Sequence, residues 1–251
     1  MIDLKNRIRE KEFKNKFSIE LLKIEKIFNN IYKKCNYKFI HGCGSYLFDG
    51  KNYKYSIDNY PKQKLLYEIS KNKKKILEIG TYMGHSLLIM LMANPRLNIT
   101  CIDIDDKYSK PATDYLKTEY PNSNIEFIKI NSLDFLSANK NKYDFFHIDG
   151  NHKNKIITKE FNYCLDLRMN NNMEIILDDI DNCLVLKKNI LSSFKITKSI
   201  LPKCIGRNFY IKIKLSKNKL IFYKERIILL IKNLISYILI KINKIVRLKK
   251  I

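Results

Sequence analysis

Tryptophan is absent from this 251-residue chain, and glycine and proline are scarce, at seven and five. Lysine, asparagine and isoleucine are abundant instead, a skew that resembles an AT-rich coding bias and weakens the meaning of any individual lysine. None of the six cysteines (35, 43, 101, 164, 183 and 204) stands in a CxxC spacing. The opening MIDLKNRIRE lacks the apolar stretch of a secretory leader. These absences lead us to expect a reduced, cytoplasmic protein whose cysteines are ordinary buried thiols. Internal repeats are missing as well. Hydrophobic residues make up 45 % of the chain, enough for a real core, which argues against global disorder.

The net charge of +23 invites a nucleic-acid reading until it is divided along the chain. Residues 1–75 hold 19 basic and 8 acidic side chains, residues 76–185 hold 11 and 16, and residues 186–251 hold 18 and 1. The middle is mildly acidic and the flanks carry all the excess. A centre that bound polyanions directly would be basic. The charge therefore says little about the chemistry in the middle.

Residues 4–34 interleave charge with Leu21, Leu22, Ile24, Ile27, Phe28 and Ile31, the pattern of an amphipathic helix. Residues 35–60 collect Gly42, Gly44 and Gly50 among many tyrosines and read as an irregular loop or lid. After Pro61 a short helix is expected. From Lys75 onward short apolar runs alternate with helical stretches. Strands are expected at 76–79, 99–104, 125–130, 143–148 and 174–177, with helices at 86–93, 112–119, 132–136 and 156–169. That alternation predicts a parallel sheet covered on both faces. A helix near 183–191 follows, and FKITKSI and NFYIKIK flank a turn containing Pro202 and Gly206, predicting a final antiparallel pair.

The tail differs again. Ile227, Ile231, Leu234, Ile238, Ile242 and Ile245 recur at three and four, while Arg226, Lys232, Asn233, Ser236, Asn243, Lys244 and Arg247 fill the other arc. This predicts a basic amphipathic helix, which Lys232 and Lys241 interrupt too often for a membrane span. Three readings stay open: packing on the domain or a partner, attachment of 226–251 to a membrane surface, or an Ile-rich strand mistaken for a helix.

The central stretch ILEIGTYMGHS is where an apolar strand stops at Gly80, turns, and restarts at Gly84 as a helix. In an open parallel sheet, ligands bind beyond the C-terminal strand ends, where the first strand passes into its helix. Glycine there admits a close approach of backbone and ligand. The spacing is not GxGxxG, and bulky Tyr82 argues against tight pyrophosphate packing. A ligand without phosphates can lie along the strand ends.

These residues resemble the first motif of the class I S-adenosylmethionine-dependent methyltransferases, especially the small-molecule (catechol/sugar-type) O-methyltransferase branch. The resemblance covers roughly residues 62–215. It implies a Rossmann-like, seven-stranded, mostly parallel sheet with helices on both faces and a terminal antiparallel hairpin. Around that unit, 1–61 is expected to be a helical extension and lid, and 216–251 a basic amphipathic extension. For the cofactor S-adenosylmethionine the resemblance implies Glu78, Gly80, Tyr82, Gly84 and Ser86, with Asp103 accepting the ribose hydroxyls. Asn131 and Ser132 match the place beside the adenine, with helix capping as their other reading.

Asp149 ends the strand within YDFFHIDGNH, and Asp178 and Asp179 end the neighbouring strand within EIILDDI. Three carboxylates at adjacent strand ends repel one another unless a cation joins them, and hard oxygen ligands suit Mg²⁺. The catechol-type relatives hold a divalent ion in this way, so Asp149, Asp178 and Asp179 are the candidate metal ligands. A solvated or metal-free carboxylate cluster is the alternative. Asp149 also counts among the cofactor contacts, and with His152 it forms the candidate catalytic pair. Neutral imidazole can take the proton that an acceptor hydroxyl must lose. His147 is expected to be a satisfied core residue. The acceptor is expected to be a small molecule, with sugars favoured by HIDGNH.

A nucleic-acid methyltransferase gripping phosphates with its basic flanks is the rival enzyme. It is disfavoured by the lack of an Asn-Pro-Pro-Tyr-like motif after the fourth strand. A non-catalytic relative serving as a binding or membrane-associated module is the other rival, and the intact Glu78, Gly80, Gly84 and Asp103 set argues against loss of the cofactor.

Overall fold

The computed structural model describes residues 16–179, 184–201 and 208–248. Seven strands form one sheet: β1 (Lys75–Ile79), β2 (Asn98–Asp103), β3 (Asn124–Lys129), β4 (Phe145–Ile148), β5 (Asn172–Leu177), β6 (Lys195–Ile200) and β7 (Phe209–Lys214). Their order is β3-β2-β1-β4-β5-β7-β6. β1 to β5 pair in parallel, and β7 runs antiparallel to both β5 and β6. The order reverses beside β1, so the C-terminal ends of β1 and β4 diverge into a crevice.

Period-two burial on both faces explains why the strands read as continuous apolar runs. Ile76, Phe145 and Ile176 face one core, while Leu77, Phe146 and Ile175 face the other. The first core takes in α1 (Lys16–Lys23), α2 (Glu25–Lys34), α3 (Tyr60–Ser70), α4 (His85–Ala93) and α5 (Asp106–Glu119). The second takes in α6 (Ser132–Ala138), α7 (Asn154–Leu167), α8 (Leu184–Ser193) and part of α9 (Lys219–Leu248). The amino-terminal helices thus share a core with the sheet.

Three expectations take definite form. The amphipathic helical pattern of 4–34 is two helices, with Ile24 at the junction, and residues 4–15 lie outside the described residues. The second helix of the central unit begins at Asp106 rather than Ala112, because Asp105 caps it by accepting from the Lys107 N–H at 2.9 Å. Pro111 therefore stands inside that helix. The tail is helical, which removes the strand reading, although its packed face is not the isoleucine stripe. Phe222, Leu229 and Asn233 are buried, whereas Ile231, Leu234 and Ile238 are 51 %, 59 % and 45 % exposed. The turn with Pro202 and Gly206, residue Cys183, and the side chains of Asn243, Lys244, Ile245 and Arg247 lie outside the described residues.

Candidate active site

A cleft of about 1000 Å³ lies over the C-terminal strand ends. Its first end is built by the glycine turn after β1. Gly80 has φ +83°, and a Cβ there would stand 2.2 Å from the Asp149 carbonyl oxygen. The glycine is needed because the loop after β4 crosses it, a reason internal to the protein. Gly84, at φ +66°, opens α4 in the left-handed region that favours glycine. Tyr82 also has a positive φ, +47°. Its hydroxyl accepts from the Ile40 N–H at 2.8 Å, and its ring meets Tyr108 edge-on.

Asp103 Oδ2 accepts from the N–H groups of Thr81 and Tyr82, at 2.9 and 2.8 Å, and from Ser109 Oγ at 3.0 Å. The β2 carboxylate is thus the clasp of the glycine turn, with Oδ1 accepting only a longer 3.2 Å bond from the Asp105 N–H. Ile104 stands beside it on the cleft wall, 68 % exposed. Glu78 and Ser86 satisfy each other: Ser86 Oγ donates to Glu78 Oε1 at 2.6 Å. Ser86 lines the cleft, whereas Glu78 is fully buried and does not belong to its wall. Asn131 caps α6, accepting from the Leu133 N–H at 2.9 Å, and Ser132 Oγ donates to Glu160 at 2.5 Å. Both still line the cleft, next to Leu133.

The other end gathers Asp149, Asp178, Asp179 and His152 as expected, and adds Lys62 from α3. Lys62 Nζ donates to Asp178 Oδ2 at 3.4 Å, with both side chains buried, and lies 4.6 Å from the centre of the Tyr46 ring. His152 Nε2 lies 3.7 Å from Asp179 Oδ2. Burial holds the Asp149 carboxyl well above the usual carboxylate range. The Asp178 charge, and a hydrogen bond to Asp178 that favours the protonated acid, push the same way, while Lys62 opposes them.

Asp149, Asp178 and Asp179 are the side chains that would hold a divalent ion. Among the described residues no three His, Cys, Asp or Glu side chains are grouped to hold one. Two of the three expected ligands already face basic groups of the chain itself, Asp178 facing Lys62 and Asp179 facing His152. Lys62 carried no signal in the sequence, since one lysine among 48 basic residues is unremarkable and its partner lies 116 positions away.

Within residues 35–60, Tyr46, Leu47, Phe48 and Tyr55 are buried, and residues 40–46 line the cleft. Ser45 Oγ and Tyr53 OH bond the two nitrogens of His85 at 2.5 and 2.9 Å, and burial pushes the His85 imidazole down to about 3. Tyr46 OH bonds His147 Nε2 at 2.8 Å, and His147 Nδ1 lies 3.2 Å from Glu78 Oε1. His147 is therefore the satisfied core residue its position suggested. Ser86, Glu78, His147 and Tyr46 form one buried polar chain between the two ends of the cleft.

Residues 77–180 match a family model described as a methyltransferase domain. No curated protein matches the sequence. Among solved structures, the chain is similar to the O-methyltransferase TomG from Streptomyces achromogenes, involved in tomaymycin synthesis and in complex with SAM. Identity is 14 %, coverage is 83 % of this chain and 100 % of that one, and the TM-score is 0.55. It is similar also to the Bacillus cereus O-methyltransferase in complex with SAH, at 14 % identity, 76 % and 91 % coverage and a TM-score of 0.53. Cofactor-bound Rv0187 from MTB matches at 14 % identity, 76 % and 90 % coverage and a TM-score of 0.56. The fold is that of the class I methyltransferases.

Proposed function

We propose, from the premise that residues 77–180 form a methyltransferase domain, that the protein is an S-adenosylmethionine-dependent O-methyltransferase acting on a small-molecule hydroxyl. The observation that carries this reading is one continuous cleft joining the glycine turn to the Asp149, His152, Asp178 and Asp179 end. A cleft of about 1000 Å³ is at the upper end of sites that enclose small ligands, with room for a cofactor and a modest acceptor. Sugars and catechols both fit this class. The solved relatives named with SAM and SAH support the choice of cofactor.

The bound cofactor would supply a sulfonium methyl group, transferred as the new C–O bond forms and the C–S bond electrons return to sulfur. The chain's part is to hold the two reactants in line, which converts a bimolecular reaction into one within a complex. Asp103 and the glycine turn shape the nucleoside end, with exposed Ile104 offering an apolar surface to a planar ring. His152 Nε2 takes the acceptor proton, and Asp179 beside it offsets the imidazolium charge that results. Among the described residues six aspartates and a single lysine line the cleft, a charge balance that disfavours a polyphosphate substrate and so the nucleic-acid rival. Calorimetric titration with S-adenosylhomocysteine tests the reading. Micromolar binding is expected, and absence of binding overturns it.

The same protein is proposed to rest on an anionic lipid surface through α9. Exposed apolar side chains on this helix stand in a carboxyl-terminal region with 18 basic residues and one acidic residue, a combination that suits headgroups and acyl chains together. A phosphate backbone would use the charge and leave the apolar stripe in water. Among the described residues no helix is long and apolar enough to cross a membrane. The full chain is expected to sediment with phosphatidylglycerol vesicles and not with phosphatidylcholine vesicles, and to lose this on combined Ile231→Ser, Leu234→Ser and Ile238→Ser substitution. A wild-type dimer in analytical ultracentrifugation that the same substitutions dissolve, with no vesicle binding, would instead make the stripe a protein interface.

A further inference from the structure

The acceptor end of the cleft contains its own cation. Lys62 is only 5 % exposed, although lysine seldom is buried without a partner. Its ammonium is held between the Asp178 carboxylate, 3.4 Å away, and the face of Tyr46, 4.6 Å away. Tyr46 is itself fixed, since Gln63 Nε2 donates to its backbone carbonyl at 2.6 Å and its hydroxyl bonds His147. Gln63 and Lys62 are neighbours on α3, so the helix carries both the cation and the brace of the ring that covers it. The place where three carboxylates meet, and where electrostatics demands a positive charge, is thus filled from α3. A divalent ion entering there would meet a fixed ammonium and would have to displace it from Asp178.

We propose that Lys62 is the resident cation of this site and takes the place of a divalent metal, so that methyl transfer proceeds without one. This rests on the methyltransferase reading above and deepens it. Lys62 acts as a positioning residue: it neutralises Asp178, lets the carboxylate cluster persist beside Asp149, and sets a positive field where the acceptor oxygen loses its proton.

The test uses the full chain, with Mn²⁺ and S-adenosylhomocysteine as probes. Wild-type protein is expected to show no saturable Mn²⁺ binding by calorimetry, and the same S-adenosylhomocysteine affinity, within twofold, in EDTA and in excess MgCl₂. Lys62→Gln, which removes the charge and keeps much of the length, is expected to gain saturable Mn²⁺ binding under the same conditions. Lys62→Arg, which keeps the charge, should not gain it. A residue with only a packing role would not produce this split between Gln and Arg. Stoichiometric Mn²⁺ binding by the wild type that Asp149→Asn abolishes would overturn the proposal. So would a Lys62→Gln variant with wild-type circular dichroism and no gain of metal. If Lys62→Gln does not fold, the wild-type Mn²⁺ titration decides alone. Failure of wild-type protein to bind S-adenosylhomocysteine in either buffer would count against the methyltransferase reading, whereas the metal titrations bear on Lys62 separately.

Discussion

At the glycine-turn end of the cleft, Asp103 accepts hydrogen bonds from residues 22, 21 and 6 positions away. At the carboxylate end, Lys62 reaches Asp178 across 116 positions, and Tyr46 reaches His147 across 101. The first end is one strand–turn–helix unit closed by the next strand, so its parts are specified together in a short stretch of chain. The second is assembled from α3, the 35–60 segment and two strand ends. The contrast separates a ligand cradle built into the sheet from an acceptor site completed by an added layer.

The seam between the ends should be the most sensitive point. Gly80→Ala combines a positive φ with a Cβ driven into the Asp149 backbone, and is expected to cost about 3 kcal/mol or more. The urea midpoint measures it, and a loss below 1 kcal/mol on the order-of-magnitude scale for surface changes would mean that the seam opens easily. Next comes the buried polar chain. Ser86→Ala removes a bond to a buried carboxylate and is expected to cost about 2 kcal/mol. Unchanged stability would show that the two ends are not coupled through Glu78 and His147.

The effect that is smallest at neutral pH is the acid response of the wall's anchor. His85 has an ordinary value of 6.5 that burial pushes down to about 3, so between those limits the unfolded chain binds a proton that the folded protein refuses. Its contribution is complete above pH 6.5 and is lost as pH falls toward 3, at a slope of about 1.4 kcal/mol per pH unit. His85→Gln should flatten the stability–pH curve by that one proton between pH 6 and 4. An unchanged slope would mean that the 35–60 wall detaches before His85 is protonated.

The sequence alone determined the sheet, its alternation with helices, the turn from Gly80 to Gly84 and the convergence of Asp149, Asp178, Asp179 and His152. Each of these follows from local periodicity or from the rule that ligands gather at parallel strand ends, and neither depends on distant contacts. Helix capping by Asn131 was legible for the same reason. Only the tertiary structure decided that Gly80 is required by the β4 loop, that Glu78 turns away from the cleft toward Ser86, and that the isoleucine stripe of α9 faces outward. It alone could also reveal Lys62, because electrostatic pairing acts through space and leaves no period, spacing or composition along the chain. In a protein with 48 basic residues, burial beside Asp178 is what distinguishes this lysine from the rest.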